Sequence, residues 1–533
     1  MFWTMMKSFV LFALLVALSG CQNENKDFQK PNILFILVDD LGYHDLSFTG
    51  SEFYETPNVD RIAREGMWFT EGHAACQVCS PSRASIMTGK FPARHGITDY
   101  IGAPAGEEWR RMGRHTQLLP PDYVRNLPHE YITLPEAMKA EGYTTFFAGK
   151  WHLGSEVSYP QDHGFDVNRG GYYAGGPYSG GYFSPFNNPQ MEDYEGEEGM
   201  SLPSKLAKET IKFIKENKDT TFFAFLSFYA VHAPIQTTRE KWAMYRQKAE
   251  NMGIAVKGYE MGHFLPIRQV QDNPVYAGLV ELMDDAVGDV LIALDDLGLS
   301  ENTIVIFTSD NGGVVAGDDF STSNKPLRAG KGYQYEGGIK EPYFIKVPGM
   351  KGGRICETPV TGTDFYPTIL ELTGADLKPE EHIDGVSLVP LLNGDTIEER
   401  SLIWHYPHYG NQGGQPSSII RSGKWKLIHY YEDGHDELYN LKTDEGEMND
   451  VSDEYPGFAR DLKDQLMSFL NSVNALYPEK DPEYNRELEM QYLERVRTQR
   501  MPRLELKRLE FLSIDFDPGN NWWGSIIDTI INE

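Results

Sequence analysis

The chain of 533 residues and 60.5 kDa is long enough for a large α/β core with a smaller appendage. Its formal charge of −29 repels nucleic acid and free polyanions at long range, which excludes nucleic-acid binding as its business. An acidic substrate therefore has to be met by a local cluster of Lys, Arg and His.

The first residues read as a targeting segment. After Lys7, the run from Ser8 to Gly20 is apolar and ends in small residues, too short for a stable spanning helix, and is an export signal. Leu18-Ser19-Gly20-Cys21 is similar to a bacterial lipoprotein box, which makes 1–20 a signal peptide and Cys21 a lipidated first mature residue. Residues 21–30 are then a polar tether. This implies a periplasmic or outer-membrane lipoprotein that meets the membrane only through its lipid; an ordinary cleaved signal with an incidental cysteine is the alternative.

Asn32 to Val38 is an unbroken apolar run, expected to be a central strand buried on both faces, with Asp39-Asp40 at its carboxyl end, where open α/β sheets place ligands. A short amphipathic helix over Pro57 to Gly66 follows. Cys79 to Gly89 reads as a nucleophile at a turn, with Pro81 and Ser82 suited to open a helix whose N–H groups, with Arg83, favour an anion. Residues 99–130 are rich in Gly, Pro and Arg and too long for a plain connection, so they suggest a pocket-lining insertion. A helix over Tyr131 to Glu141 and a strand over Tyr143 to Ala148 lead into Gly149-Lys150-Trp151-His152-Leu153-Gly154. Residues 155–200 read as irregular surface structure.

Beyond them come a helix over Leu202 to Glu216, a strand over Thr221 to Phe228, a charged excursion at 237–272 and a long helix over Val275 to Leu297. Thr303 to Ser309 then repeats the opening theme, a buried strand ending in Asp310-Asn311. This alternation predicts a large, mostly parallel sheet flanked by helices, over a catalytic domain at 31–400. From 401 to 475 the pattern changes to short strands separated by Ser-Gly and Asp-Gly turns, an antiparallel meander covered by a helix over Phe458 to Asn471. The remainder, 476–533, carries Leu, Tyr and Met at helical spacing and is expected to be a structural helical extension.

Asp39, Asp40, Asp310 and Asn311 lie at the ends of two strands expected to be neighbours. Carboxylates held so close repel, and a hard divalent cation relieves that through oxygen ligands. The alternative for either pair is a helix cap or a water-facing acid. An all-oxygen set excludes a Cys/His zinc site but leaves Mg²⁺ and Mn²⁺ open. Lys150 and His152 can point into one cleft if the chain stays extended. Cys76-Gln77-Val78-Cys79 has the spacing of a redox pair, though no thioredoxin-like half-domain surrounds it.

Cys79-Ser80-Pro81-Ser82-Arg83, closed by Thr88-Gly89, resembles the signature of the formylglycine-dependent type I sulfatases, and Gly149 to Gly154 resembles their second signature. The resemblance covers roughly residues 31–440 and implies the alkaline-phosphatase-like fold. It implies that Cys79 is oxidised to 3-oxoalanine (formylglycine) by a formylglycine-generating or anaerobic sulfatase-maturating enzyme. It also implies one Ca²⁺ per chain on Asp39, Asp40, Asp310, Asn311 and the modified Cys79. Arg83, Lys150, His152, His232 and Lys331 would gather positive charge on the sulfate. In the roles this implies, Arg83 and the ion orient the nucleophile, Asp310 takes its proton, and Lys150 and Lys331 stabilise the sulfuryl oxygens. His232 protonates the leaving sugar oxygen, and His152 removes the second hydroxyl proton.

The chain also resembles lipoprotein carbohydrate sulfatases of the Bacteroides type. That implies an exo-acting enzyme on sulfated galactose or N-acetylgalactosamine of host glycans. Trp404 to Gln415 is expected to return to the cleft, which makes His405 and His408 candidate sugar ligands, with packing between domains as the other reading. The alternatives are a phosphatase or phosphonate hydrolase of the same fold, and a non-enzymatic surface protein that binds glycans through the 170–190 loop.

Overall fold

The computed structural model describes residues 30–178, 180–191 and 199–518; the expected signal peptide at 1–20, Cys21 and the expected tether to residue 29 lie outside them. Its centre is an eight-stranded sheet. In chain order the strands are β1 (Asn32–Val38), β2 (Met67–Phe69), β3 (Thr144–Gly149), β4 (Val167–Arg169), β5 (Phe222–Ser227), β6 (Thr303–Ser309), β7 (Tyr343–Lys346) and β8 (Arg354–Cys356). They lie side by side as β8-β2-β7-β6-β1-β5-β3-β4. The run from β4 to β6 is parallel, and β7 alone runs against its neighbours.

All seven residues of β1 are buried because both faces are covered. Leu34, Ile36 and Val38 enter one core with α1 (Pro57–Glu65), Leu202–Glu216 and the long helix Pro274–Asp296. Ile33, Phe35 and Leu37 enter the other with α2 (Cys79–Thr88), Leu134–Ala140 and Phe365–Thr373. The register pairs Val38 with Ser309 and Leu37 with Ser227. Asp39-Asp40 and Asp310-Asn311 therefore leave the sheet together at its carboxyl edge.

α2 begins at Cys79 itself and ends at Gly89, whose left-handed φ of 63° closes it. The strand β4, only three residues long, falls in the stretch expected to be irregular; nothing in its sequence distinguishes it, and its place is given by pairing with β3.

The smaller sheet is antiparallel, β9 (Ser401–Tyr406), β10 (Ser417–Ser422), β11 (Trp425–Tyr430) and β12 (Asp436–Asn440) in that order, covered by the helix Pro456–Ser472. β9, which holds Trp404 and His405, is its first strand rather than an approach to it. Part of the 99–130 insertion ties the large-sheet domain to the start of the extension: Leu118–Leu119 pairs with Glu479–Lys480, and Arg110 meets Asp481 at 2.8 Å. The extension forms helices Arg486–Arg495 and Met501–Phe511. Val496 packs under the small sheet, whereas Phe511, Leu512 and Phe516 enter the large core.

Candidate active site

Gly149 ends β3 at φ 105°, and a Cβ there would lie 1.7 Å from the Ser227 carbonyl oxygen. Only glycine lets the chain turn so tightly against β5. The turn puts Lys150 and His152 on the same side as the acids. Lys150 Nζ donates to both carboxylate oxygens of Asp39 at 2.8 Å. Lys331 Nζ donates to Asp40 Oδ2 at 2.8 Å. Arg83, one turn into α2, sends Nε to Asp310 Oδ2 at 2.7 Å and Nη1 to the Lys150 carbonyl and Ser227 Oγ. Its Nη2 stands 3.6 Å from Asp39 and has no hydrogen-bond partner among the described residues.

Both histidines have one ring nitrogen committed to backbone. His152 Nε2 donates to the Ile101 carbonyl at 2.9 Å, which leaves Nδ1 as an acceptor 3.3 Å from Cys79 Sγ. His232 Nδ1 donates to the Ala233 carbonyl at 2.6 Å, so Nε2 faces the acids, 3.7 Å from Asp40 Oδ2. The tautomers follow from carbonyls that can only accept. Thus Cys79, Arg83, Lys150, His152, His232, Lys331, Asp39, Asp40, Asp310 and Asn311, all buried, converge on one point.

Burial dominates the titration of these groups. It pushes the Asp39 carboxyl well above the usual range, with Lys150 opposing and Asp310 and Asp40 adding to the rise. Burial pushes Asp40 up as well, but Lys331, His232 and Lys150 outweigh it and hold the carboxyl well below its usual value. Burial and then repulsion from Lys331 bring His232 down to about 4; burial and Lys150 hold His152 well below 6.5. The Cys79 thiol is pushed up by burial despite Lys150 and Lys331. An unmodified thiol here is protonated and a poor nucleophile.

The acids suit a hard cation. Carboxylate oxygens of Asp39, Asp40 and Asp310 lie within 4.8 Å of one another. Asn311 Nδ2 donates to Asp40 Oδ1 at 2.8 Å, while Asn311 Oδ1 is buried without a partner. A buried amide oxygen left unpaired beside three carboxylates is an oxygen ligand in waiting. Three carboxylates face three cations, so a dication makes the centre net positive and able to hold an anion. Asp310→Ala removes a candidate ligand and the acceptor of Arg83 Nε. Metal analysis of the purified variant is expected to give well under half of the wild-type content; full content removes Asp310 from the ligand set.

The proposed sugar ligands are corrected. His405 is 1% exposed, with Nδ1 on Ser418 Oγ at 2.7 Å and Nε2 on the Leu476 carbonyl at 2.9 Å. It packs between the small sheet and the extension and has no nitrogen to offer. His408 is fully buried, with Nε2 on Thr98 Oγ1 at 2.9 Å and Nδ1 3.7 Å from Asp99. The segment that carries them does return to the cleft, but through Asn411 and Gln412. Gln412 Nε2 donates at 2.9 Å to Asp318 Oδ2, and that oxygen is 3.7 Å from Lys331 Nζ. Asp318 is the site residue that sequence reasoning missed. Its one signal is an acid in a glycine-rich stretch between Asn311 and Lys331.

The comparisons agree with this geometry. The sulfatase family model matches residues 31–375, and that of the N-sulphoglucosamine sulphohydrolase C-terminal region matches 329–474. A sulfatase of Formosa agariphila is 31% identical, over 87% of this chain and 94% of its own. The N-acetylgalactosamine-6-sulfatase of Canis lupus familiaris is 31% identical, over 71% of this chain and 69% of its own. The crystal structure of Ps i-CgsB in complex with k-i-k-neocarrahexaose superposes with a TM-score of 0.67 at 26% identity, covering 89% of this chain and 99% of that one. With the signature helix and the acid edge in place, the chain belongs to the sulfatase family and is a sulfuric ester hydrolase.

Proposed function

We propose that the protein removes sulfate from carbohydrates, acting on exposed ends that carry sulfated galactose or N-acetylgalactosamine, with residue 79 as nucleophile after oxidation of Cys79 to formylglycine. The observation that carries this reading is His152 Nδ1, an acceptor by tautomer, 3.3 Å from Cys79 Sγ within a cluster of buried cations. The hydrated aldehyde would supply a hydroxyl nucleophile with a built-in exit for sulfate, and Asp39, Asp40, Asp310 and Asn311 would hold a Ca²⁺ whose charge would acidify that hydroxyl.

The chain's own groups divide the remaining work. Lys150 and Lys331 bind sulfuryl oxygens and take up the charge that grows on them. Arg83 holds Asp310, the carboxylate that accepts a hydroxyl proton in this reading. His152 Nδ1 accepts the other. His232 Nε2 protonates the leaving oxygen; an anion beside it opposes Lys331 and raises its pKa from about 4 when substrate binds.

A saccharide substrate is supported by the N-acetylgalactosamine-6-sulfatase relatives and by the saccharide in the Ps i-CgsB complex. Export through the N-terminal signal, lipidation at Cys21 and maturation by a formylglycine-generating or anaerobic sulfatase-maturating enzyme belong to the same reading. A panel of mono- and oligosaccharides sulfated at different positions, with chromatography of the products, tests it. Sulfate release is expected from terminal galactose-type units. Equally fast release from the middle of long polymers contradicts the exo action, and preference for glucosamine or uronic acid sulfates contradicts the galactose assignment.

A further inference from the structure

Asp318 stands where a sugar has to pass. Its carboxylate lies within 4.8 Å of the facing atoms of Asp40 and His232 and 3.7 Å from Lys331 Nζ, yet its side chain is on the solvent side of all three. Lys331 bridges Asp40 and Asp318, which ties the outer acid to the inner cluster.

The surrounding structure is built to hold the carboxylate there. Gly317 and Asp318 are both left-handed, at φ 67° and 42°, a conformation that Asp tolerates better than most residues. The next residue anchors the loop: Asp319 Oδ2 accepts the Ile235 N–H at 2.9 Å, and Asp319 Oδ1 lies 3.7 Å from Lys507 Nζ. Gln412, only 4% exposed, spends its amide on Asp318 Oδ2. A Cβ on Gly332 would come within 2.7 Å of Gln412 Oε1, so a glycine is required for Gln412 to sit there. Asp318 Oδ1 has no donor among the described residues. Across the mouth, the Tyr178 ring is 52% exposed and meets His232 edge-on at 5.9 Å.

A carboxylate at the mouth of an anion site repels the very group the site binds, so its placement needs another purpose. We propose that Asp318, positioned by Gln412, accepts the hydrogen of a free hydroxyl on the sugar carbon next to the sulfate ester. The facing atoms of His232 and Asp318 lie within 4.8 Å of one another, so an ester oxygen at His232 Nε2 would bring the hydroxyl of the adjoining carbon toward the Asp318 carboxylate. The same charge disfavours substrates that carry a second sulfate there, by like-charge contact. This inference rests on the carbohydrate sulfatase reading above and names the chemical neighbour the site demands.

The test compares three substrates: a turned-over sulfated monosaccharide, its analogue lacking the neighbouring hydroxyl, and an aryl sulfate. Asp318→Ala is expected to lower kcat/KM on the monosaccharide by about 10- to 100-fold, the scale of one lost polar contact in a desolvated site. The wild type should lose as much on the deoxy analogue, and Asp318→Ala should not distinguish the two sugars, since the contact is counted once. Turnover of aryl sulfate should fall at least tenfold less than turnover of the sugar, because that substrate lacks the hydroxyl and feels only the change beside Lys331 and His232. Asp318→Asn keeps an acceptor and the left-handed turn while removing the charge, so it should retain most activity on the monosaccharide and gain on an analogue sulfated at the neighbouring carbon.

Equal losses on aryl sulfate and sugar overturn the proposal, because Asp318 then acts through Lys331 and His232. Indifference of the wild type to the missing hydroxyl overturns it as well. Failure of the wild type on every sulfate ester is a different result and removes the underlying carbohydrate sulfatase reading along with the proposal.

Discussion

Cys79→Ser is expected to yield a folded protein with its metal content intact and sulfate-ester turnover reduced by about 10⁴-fold or more, the scale of losing a nucleophile. Two features set this size. The thiol is 3% exposed and pushed up by burial, so the unmodified side chain contributes little on its own. A hydroxyl at position 79 can attack sulfur once but has no second hydroxyl through which to release it. The comparison requires a host that oxidises cysteine only. Intact mass of active wild type should show loss of the cysteine sulfur, and circular dichroism should superpose the two proteins. Undiminished turnover in C79S excludes Cys79 as precursor of the nucleophile.

The second large effect lies away from the chemistry, between the two sheets. Lys426 on β11 is fully buried, 3.0 Å from Glu336 Oε1 and 2.7 Å from Glu447 Oε1. Glu336 also meets His73 at 2.9 Å, and Arg421 meets Glu71 at 2.5 Å. The two acids share the lysine unequally. Burial raises both, but Lys426 and His73 outweigh it at Glu336 and hold that carboxyl well below its usual value. The contact to Glu447 lacks hydrogen-bond alignment, and burial prevails there, at about 7.

Lys426→Met leaves two buried carboxylates without their cation and is expected to cost about 3–5 kcal/mol. The defect should depend on pH in a definite direction. An acid whose folded pKa is raised above its unfolded value loses stability as pH climbs between the two and regains it on the way down. Denaturant unfolding of K426M should therefore approach the wild type near pH 5 and fall furthest behind near pH 8. A pH-independent difference would assign the loss to packing instead.

The parts of this molecule that depend on local pattern were legible in its sequence. Asn32 to Val38 and Thr303 to Ser309 are unbroken apolar runs, each ending in an acid, and such runs have few other fates in a large α/β chain. Cys79 to Gly89 carries its own start and stop. What was not legible depends on partners far along the chain. His405 has the composition of a sugar ligand, and only the arrival of Ser418 and the Leu476 carbonyl consumes its two nitrogens. β4 is a strand because β3 lies beside it. Asp318 is an ordinary loop acid until a glutamine nearly a hundred residues later fixes its direction.

The strand order also sets a clock. All ten residues of α2 are buried, and β1, which lies over them, pairs with strands that begin at Phe222 and Thr303. During synthesis Cys79 emerges well before either partner exists, and domains close as their chain is completed. On the proposed reading, a maturating enzyme would have to reach the open thiol before β6 joins the sheet and buries it. Once the sheet closes, the unmodified cysteine is sealed in a finished fold. If activity depends on that modification, a preparation refolded from unmodified chain is expected to stay silent however native it becomes.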